Sequence, residues 1–385
     1  MNSTAATSSP LTERPARELR KRVLGPEERV RWNRFVAASP SFAGLQSFEW
    51  GEFKEQLGWQ PLRIAIESDG QLLAGAQVLV KQLALGFASI AYLPRGPIVD
   101  WQDKTLASAL FEAIHESLRE FRCIFLRIEP ALPDSPQAHL LIQGHGFRAT
   151  DQTNQPRCTL VTDLESDAET LFARLPKQTR HNIRFAARSG VTVRAGGEKD
   201  LPVFYDLMLE TGRRAGFQPR AREYYERQFA ALAREGYVTL LVAEHEGRPL
   251  GMEMPFQFGT HGVALHEASN SASRRLRASD LLTWEGLKWA KNQGCRSYDL
   301  WGIPDEIGQL LKEGKPIPEN RQGGLWGVYY FKKRFAGSVR SFVGAYDYVY
   351  AKTAYAGVTA LLPWVDSARW IGRRLEGSYS IERQA

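Results

Sequence analysis

Cysteine is scarce in this 385-residue chain: Cys123, Cys158 and Cys295 make an odd number, and no two form a CxxC pair. That argues against a disulfide scaffold or a cysteine zinc site, and for a reduced, cytosolic compartment. No run of 18 apolar residues occurs, so nothing reads as a membrane span. The GxSxG, HExxH and P-loop signatures are all absent. The seven histidines are scattered without metal-ligand spacing, and His115 and His139 read as structural. No metal or cofactor is therefore expected. The cysteines fall at strand-like or turn positions and read as small buried hydrophobes, which leaves no nucleophile for an acyl-enzyme. The first 26 residues lack the apolar region of a signal peptide and read as a disordered tail.

What is present fits a soluble globular protein: 43% hydrophobic and 24% charged residues, with a net charge of +7. The length suits two domains. The modest positive balance suggests a partner carrying phosphates. Order begins near Pro26. "QSFEWGEFKEQLGW" (46–59) reads as a helix. "LRIAIES" and "QLLAGAQVLVKQL" read as two strands joined by a turn at Asp69-Gly70. A third strand, "FASIAYLP", an amphipathic helix, "DKTLASALFEAIHESLREF", and the buried strand "CIFLRIEP" follow. The same succession returns between Tyr237 and Ile303, with a turn at Gly247 and the closing strand "CRSYDLWGI". Recurrence of the elements in one order argues for a duplicated unit.

Each unit thus reads as α/β with a mixed sheet, and it resembles the acetyltransferase-like fold. In that fold a glycine-rich strand–loop–helix step holds the cofactor pyrophosphate. The corresponding stretch here, "RRLRASDLL" (274–282), has no glycine, so its backbone cannot close around a pyrophosphate. Acetyl-CoA is a poor candidate for the acyl donor.

The strongest local signal is "LPKQTRHNIRFAARSG" (175–190), a helix with Pro176 near its start and Gly190 at its end. Lys177, Arg180, Arg184 and Arg188 recur on one face. Between Thr170 and Gly197 stand six basic residues and no acid. A solvated face normally mixes signs, so the stripe points to anion binding. Two further segments stand out. "YLPRGPIVD" (92–100) reads as a rigid loop after a strand. "GLWGVYYFKKRFAGSV" (324–339) interleaves aromatics with cations, as stacking and phosphate contact require, or as a core strand with an exposed edge would.

Taken together, "QSFEWGEFKEQLGW", "YLPRGPIVD", "LPKQTRHNIRFAARSGV", "SDLLTWEGLKWAKNQGCRSYDLWGIP" and "GLWGVYYFKKRFAG" resemble the Fem aminoacyltransferases in the family's own order. FemX-like members build the peptide cross-bridge of bacterial peptidoglycan. The resemblance implies two tandem acetyltransferase-like domains with mixed sheets, placed at 27–165 and 166–339. A C-terminal segment, 340–385, would pack on the first domain or on a membrane surface. No heptad stretch suits the coiled-coil arm of some members. The resemblance also implies the reaction: an amino acid passes from aminoacyl-tRNA to the stem-peptide amine of a precursor, either lipid II or UDP-MurNAc-peptide.

The resemblance extends to single positions. Lys54 looks like the lysine that contacts the precursor diphosphate. Arg220 and Tyr224 look like its partners from the second domain. Tyr92, Arg95 and His266 complete the expected substrate-binding set. Asp100, closing the "GP-x-x-D" loop, is expected to accept or relay the amine proton, or else to serve as a turn carboxylate. Lys332, in "Y-F-K-K", is expected to stabilise the oxyanion. Lys177, Arg180, Arg184 and Arg188 are expected on tRNA or precursor phosphates. One departure is visible: His266-Glu267 stands where the family often has Tyr-Gly, which bears on the acceptor contacts. The expected protein is a cytoplasmic monomer, with peripheral contact to the inner membrane face through the apolar, aromatic and basic stretch 348–375. The alternatives are an N-acyltransferase with a small-molecule donor and a non-catalytic RNA-binding module.

Overall fold

A computed structural model describes residues 18–83 and 86–360. The first sheet contains β1 (Arg20–Leu24), β2 (Gln60–Ser68), β3 (Gln71–Gln82), β4 (Ser89–Pro94), β5 (Cys123–Glu129) and β6 (Arg148–Thr150). The second contains β7 (Cys158–Asp163), β8 (Val191–Gly196), β9 (Leu240–His245), β10 (Arg248–Phe258), β11 (His261–Ser269), β12 (Ser297–Gly302) and β13 (Ser338–Ser341). A last strand, β14 (Ala345–Val349), returns to the first sheet. The orders are β1-β2-β3-β4-β5-β14-β6 and β8-β9-β10-β11-β12-β7-β13. Among the described strands only β4–β5 and β11–β12 are parallel. Position by position, the two sheets repeat one plan. The hairpin turns repeat too: Asp69-Gly70 and Glu246-Gly247 all have φ between 50° and 74°, where glycine at the second position avoids strain.

The sixth position of each sheet is filled from the other half of the chain. β7 precedes the expected boundary at 165, yet it pairs with β12 and β13. β14 follows the second half but pairs with β5 and β6. Residues 345–349 of the expected C-terminal segment are thus an integral strand of the first sheet. A buried ion pair locks them there. Arg127 donates Nε and Nη2 to the two Asp347 oxygens at 2.8 Å each, and Tyr355 donates to Oδ2 at 2.7 Å. Asp347 is fully buried. Residues 1–17 and 361–385 lie outside the described residues, and with them most of the tail and much of the stretch read as a membrane-surface segment. No helix among the described residues is long and apolar enough to cross a membrane.

Helices cover the sheets. In order they are α1 (Arg29–Ala37), α2 (Phe48–Glu55), α3 (Lys104–Arg119), α4 (Pro136–Gly144), α5 (Ala168–Arg174), α6 (Lys177–Arg188), α7 (Leu201–Ala215), α8 (Arg222–Ala233), α9 (Ser271–Leu276), α10 (Ala278–Asn292), α11 (Asp305–Lys312) and α12 (Trp326–Lys332). Of these, α1, α2, α3, α6 and α10 fall where the sequence pattern placed them. Asp103 caps α3 by accepting from Leu106 N, and Leu106, Leu110, Phe111 and Ile114 form its buried stripe. Between α2 and α8 the two halves share one apolar core. Phe53, fully buried, meets Tyr224 edge-on at 5.1 Å, and Trp50 stacks on Phe256 at 6.0 Å. Burying such a ring contributes about 1.5–3 kcal/mol.

Three expectations are corrected. Residues 20–24, read as part of a disordered tail, form edge strand β1, paired antiparallel with β2. The segment 324–339 is not a core strand: Trp326–Lys332 is helical and Lys333–Phe335 a 3-10 turn. Buried Trp326, Tyr329 and Phe335 decide this by packing into the second core. Nor is 274–282 an open loop. It is the end of α9, then Arg277 in the left-handed region (φ 56°), then the first turn of α10.

Candidate functional site

β4 and β5 stay paired from Ser89–Cys123 to Pro94–Glu129. Their counterparts β11 and β12 pair only at His261–Ser297, Gly262–Tyr298 and Val263–Asp299. Beyond that point β11 runs on to Ser269 and β12 to Gly302 without bonding to each other, and Trp301 has φ 69°. Peptide groups released from a ladder need other partners. One partner is Lys332, whose Nζ donates to the Gly302 carbonyl at 2.8 Å.

Lys332 ends α12, and the next turn anchors it. Arg334 Nη1 pairs with Asp280 Oδ1 at 3.2 Å, and Asn182 Nδ2 of α6 donates to the same oxygen at 3.1 Å. Asp280 lies buried in the first turn of α10, so a carboxylate already complements that positive helix end. Burial pushes the Lys332 ammonium down to about 8, and Glu267, Asp299 and Glu253 oppose that shift.

Those carboxylates are arranged by strand register. Glu253 of β10 stands directly opposite Glu267 of β11, so both face α10. Gly286 of α10 leaves the room, because a Cβ there would lie 2.9 Å from Glu253 Oε2. Tyr298 donates to Glu253 Oε1 in a short hydrogen bond, while Oε2 has no hydrogen-bond partner among the described residues. Burial raises Glu253 well above the usual carboxylate range, and Glu267 adds to that. Burial also pushes Glu267 up to about 7, with Lys332 pulling it down and Asp280 raising it. Glu253 is fully buried; Glu267 and Lys332 are half-buried and reachable from solvent.

The expected precursor contacts lie on the opposite face of β11. Lys54 Nζ sits 5.4 Å from the Tyr224 ring centre, and the Arg220 guanidinium sits 4.6 Å from the same ring. The structure therefore brings Lys54, Arg220 and Tyr224 together across the two halves. His266 joins them from β11, with Nε2 2.7 Å from Gln228 Oε1 and its ring 5.0 Å from that of Tyr225. Burial, with the Arg220 charge, pushes His266 down to about 3, so it is neutral at ordinary pH.

The remaining expected residues are placed as follows. Tyr92 donates to Glu129 in a short hydrogen bond and accepts from Gln155 Nε2 at 3.0 Å. Arg95, buried, donates to the Pro156 carbonyl at 3.0 Å and lies 4.2 Å from the Phe342 ring centre. Both side chains face the join between the halves. Asp100 lies exposed in a turn, its Oδ1 accepting from Gln102 N at 2.9 Å. On α6, Lys177, Arg184 and Arg188 are exposed. Arg180 differs, because its Nη1 donates to the Ala173 and Leu175 carbonyls at 2.6 Å and so caps the C-terminal end of α5. Arg194 pairs with Asp200 and Glu244 at 2.6 and 3.0 Å, so the run of uncompensated cations is shorter than the sequence suggests.

Glu253, Asp280, Tyr298 and Asp299 do not stand out in the sequence as site residues. A signal exists for Glu253, a lone acid inside the apolar strand "LGMEMPF", since an acid in a strand buried on both faces needs a partner or a purpose. The three cysteines are buried, as their sequence context implies.

Comparison with known proteins bears on what this arrangement is. The chain is 22% identical to the lipid II:glycine glycyltransferase of Staphylococcus aureus (strain MRSA252) over 418 residues, 89% of this chain and 96% of the relative. It superposes on a crystal structure of FemX with a TM-score of 0.77 at 20% identity, covering 88% of this chain and 99% of that one. A tandem GNAT protein from the clavulanic acid biosynthesis pathway gives a TM-score of 0.52 at 12% identity, with coverage of 86% and 98%. Both likenesses show the fold: two acetyltransferase-like units with mixed sheets. The FemAB family model matches residues 28–140, 137–248 and 242–362, nearly the whole described chain, and the protein belongs to the FemAB family.

Proposed function

We propose that this protein is a transferase of peptidoglycan cross-bridge synthesis, moving glycine from glycyl-tRNA to the stem-peptide amine of lipid II. The observation that carries the reading is Lys332, a cation held at the open end of β11 and β12 among buried carboxylates. The similarity to a lipid II:glycine glycyltransferase supports both the glycyl group and the lipid-linked acceptor.

The donor is an activated ester, so no acyl-enzyme is needed. The acceptor amine attacks the ester carbonyl, and Lys332 faces the oxyanion that develops. Lys54 and Arg220, both near the Tyr224 ring, grip the precursor diphosphate, with the fork of Arg220 suited to bidentate contact. Lys177, Arg184 and Arg188 on α6 meet tRNA phosphates, while Arg180 holds α6 to α5. A pyrophosphate-bearing thioester is disfavoured as donor, because Asp280 occupies the helix end that such a group would need. The protein acts as a monomer on the cytoplasmic side of the membrane that carries its acceptor.

The test is incubation with a pool of charged tRNAs and lipid II, followed by mass analysis of the stem peptide. The proposal expects an increment of one glycyl residue that disappears after ribonuclease treatment. An increment that survives ribonuclease and depends on an acyl-CoA would replace it with the small-molecule acyltransferase reading.

A further inference from the structure

We propose that Glu267, set directly opposite Glu253 on the adjacent strand, is the proton acceptor for the attacking amine; this rests on the acyl-transfer reading above. The argument begins with charge. Two carboxylates placed directly opposite on adjacent strands repel each other. The other charges nearby have partners of their own. Asp280 of α10 is paired with Arg334, and Asp299 of β12 lies in the field of buried Arg95, while also drawing on Lys332. That leaves Glu253 and Glu267 with one ammonium, Lys332, between them. The pair carries one negative charge too many, so one carboxyl holds a proton. The groups that act on Glu267 are thus Glu253 of β10, directly opposite, and the charges of Lys332 from the end of α12 and Asp280 of α10, with Tyr298 of β12 nearby.

Geometry says which carboxyl holds that proton. Glu253 is fully buried, bonded to Tyr298 on one oxygen and, among the described residues, without a partner on the other. Glu267 is the less buried of the two, only half-covered. Glu253 therefore keeps the resident proton, and Glu267 is left to gain or lose one. Its tendency to titrate near neutrality is consistent with that task, which works best near the operating pH.

The step balances without any other reagent. The acceptor arrives as an ammonium and gives one proton to the Glu267 carboxylate. The free amine attacks the ester carbonyl, the C–N bond forms, and the oxyanion faces Lys332. Collapse breaks the ester C–O bond. The amide nitrogen loses its second proton as the ribose oxygen departs, with Glu267 giving its proton to that oxygen and taking the one from nitrogen. Glu267 passes the latter to water before the next turnover.

The experiment is single-turnover transfer from glycyl-tRNA to lipid II by the full chain, measured across pH. The wild type should lose rate on the acid side with an apparent pKa of about 7. Glu267→Gln should lose about 10²–10⁴-fold in rate and also lose that acid limb. Glu253→Gln replaces the protonated Glu253 with a neutral amide of the same shape, so the limb should stay near its wild-type position; a large shift would mean that Glu253 is charged and would overturn the assignment. Thermal melts establish that each variant is folded. A Glu267→Gln rate equal to wild type overturns the proposal. A reduced rate with the acid limb unmoved also overturns it, because the residue would then only position Lys332. If the wild type transfers nothing, the acyl-transfer reading falls, and this inference with it.

Discussion

The two sheets share one strand plan, yet their central parallel pairs end differently. β4 and β5 remain closed to Glu129, and that carboxylate is fully served: Asn154 N and Gln155 N donate to Oε1 at 2.6 and 3.2 Å, and Tyr92 donates to the other oxygen. β11 and β12 part after Val263 and Asp299, and the carboxylate beside them, Glu253, has an oxygen without a partner among the described residues. A satisfied buried acid rigidifies a fold, and an under-served one costs stability. The first unit thus reads as the scaffold and the second as the reaction chamber.

Changes in the scaffold should cost stability. Asp347→Ala removes the anchor of β14 and leaves Arg127 buried without its counter-charge. About 3–5 kcal/mol should be lost, seen as a lower urea midpoint, with transfer by the remaining folded molecules intact. A variant as stable as wild type would mean that β14 is held by its ladder alone.

Acid offers a second way to sharpen the contrast, because burial depresses histidines in both units. Burial pushes His115 in the first unit down to about 4 and His266 in the second down to about 3. The unfolded chain binds these protons near pH 6.5, before the folded one does. Stability is therefore present above pH 6.5 and lost as pH falls toward the folded values. The raised carboxylates, such as Glu267, have the opposite sign, so only differences between variant and wild type are informative. His266→Gln should flatten the fall between about pH 6.5 and pH 4, measured as urea midpoints, and His115→Gln should flatten it less. Equal slopes for His266→Gln and wild type would place that ring in water.

The smallest effect concerns α6. Replacing Lys177 and Arg184 with Gln should reduce the salt dependence of tRNA binding by about 0.7–0.9 log units per log salt for each phosphate left unmet. Arg180→Gln should instead lower the melting temperature with little change in that slope, because Arg180 caps α5. Reversed outcomes would exchange the roles of these cations.

Much of this is legible in the sequence where the forces are local. Asp69-Gly70 and Gly247 announce the two hairpins, and the apolar stripe of α3 announces its packing. Long-range choices are not legible. Nothing in "CTLVTD" or "AYDYV" says which sheet each strand joins, since that depends on which edge is vacant after the chain has folded. The aromatic run before Lys332 has strand-like composition, and only the packing of Trp326, Tyr329 and Phe335 makes it a helix. The candidate site is half legible. Lys54, Arg220 and Tyr224 can be found by motif, whereas Glu253 and Glu267 gain meaning only when register sets them opposite.

The central claim is that transfer occurs where β11 and β12 part, under the charge of Lys332. Its most direct test is the single-turnover rate of glycine transfer from glycyl-tRNA to lipid II by wild type, Lys332→Met and Lys333→Met. Lys333 is exposed, 5.1 Å from the Tyr330 ring centre. Lys332→Met should lose about 10²–10³-fold in rate with KM nearly unchanged, while Lys333→Met stays near wild type. A Lys332→Met enzyme with wild-type kcat, or two variants that behave alike, would contradict the account.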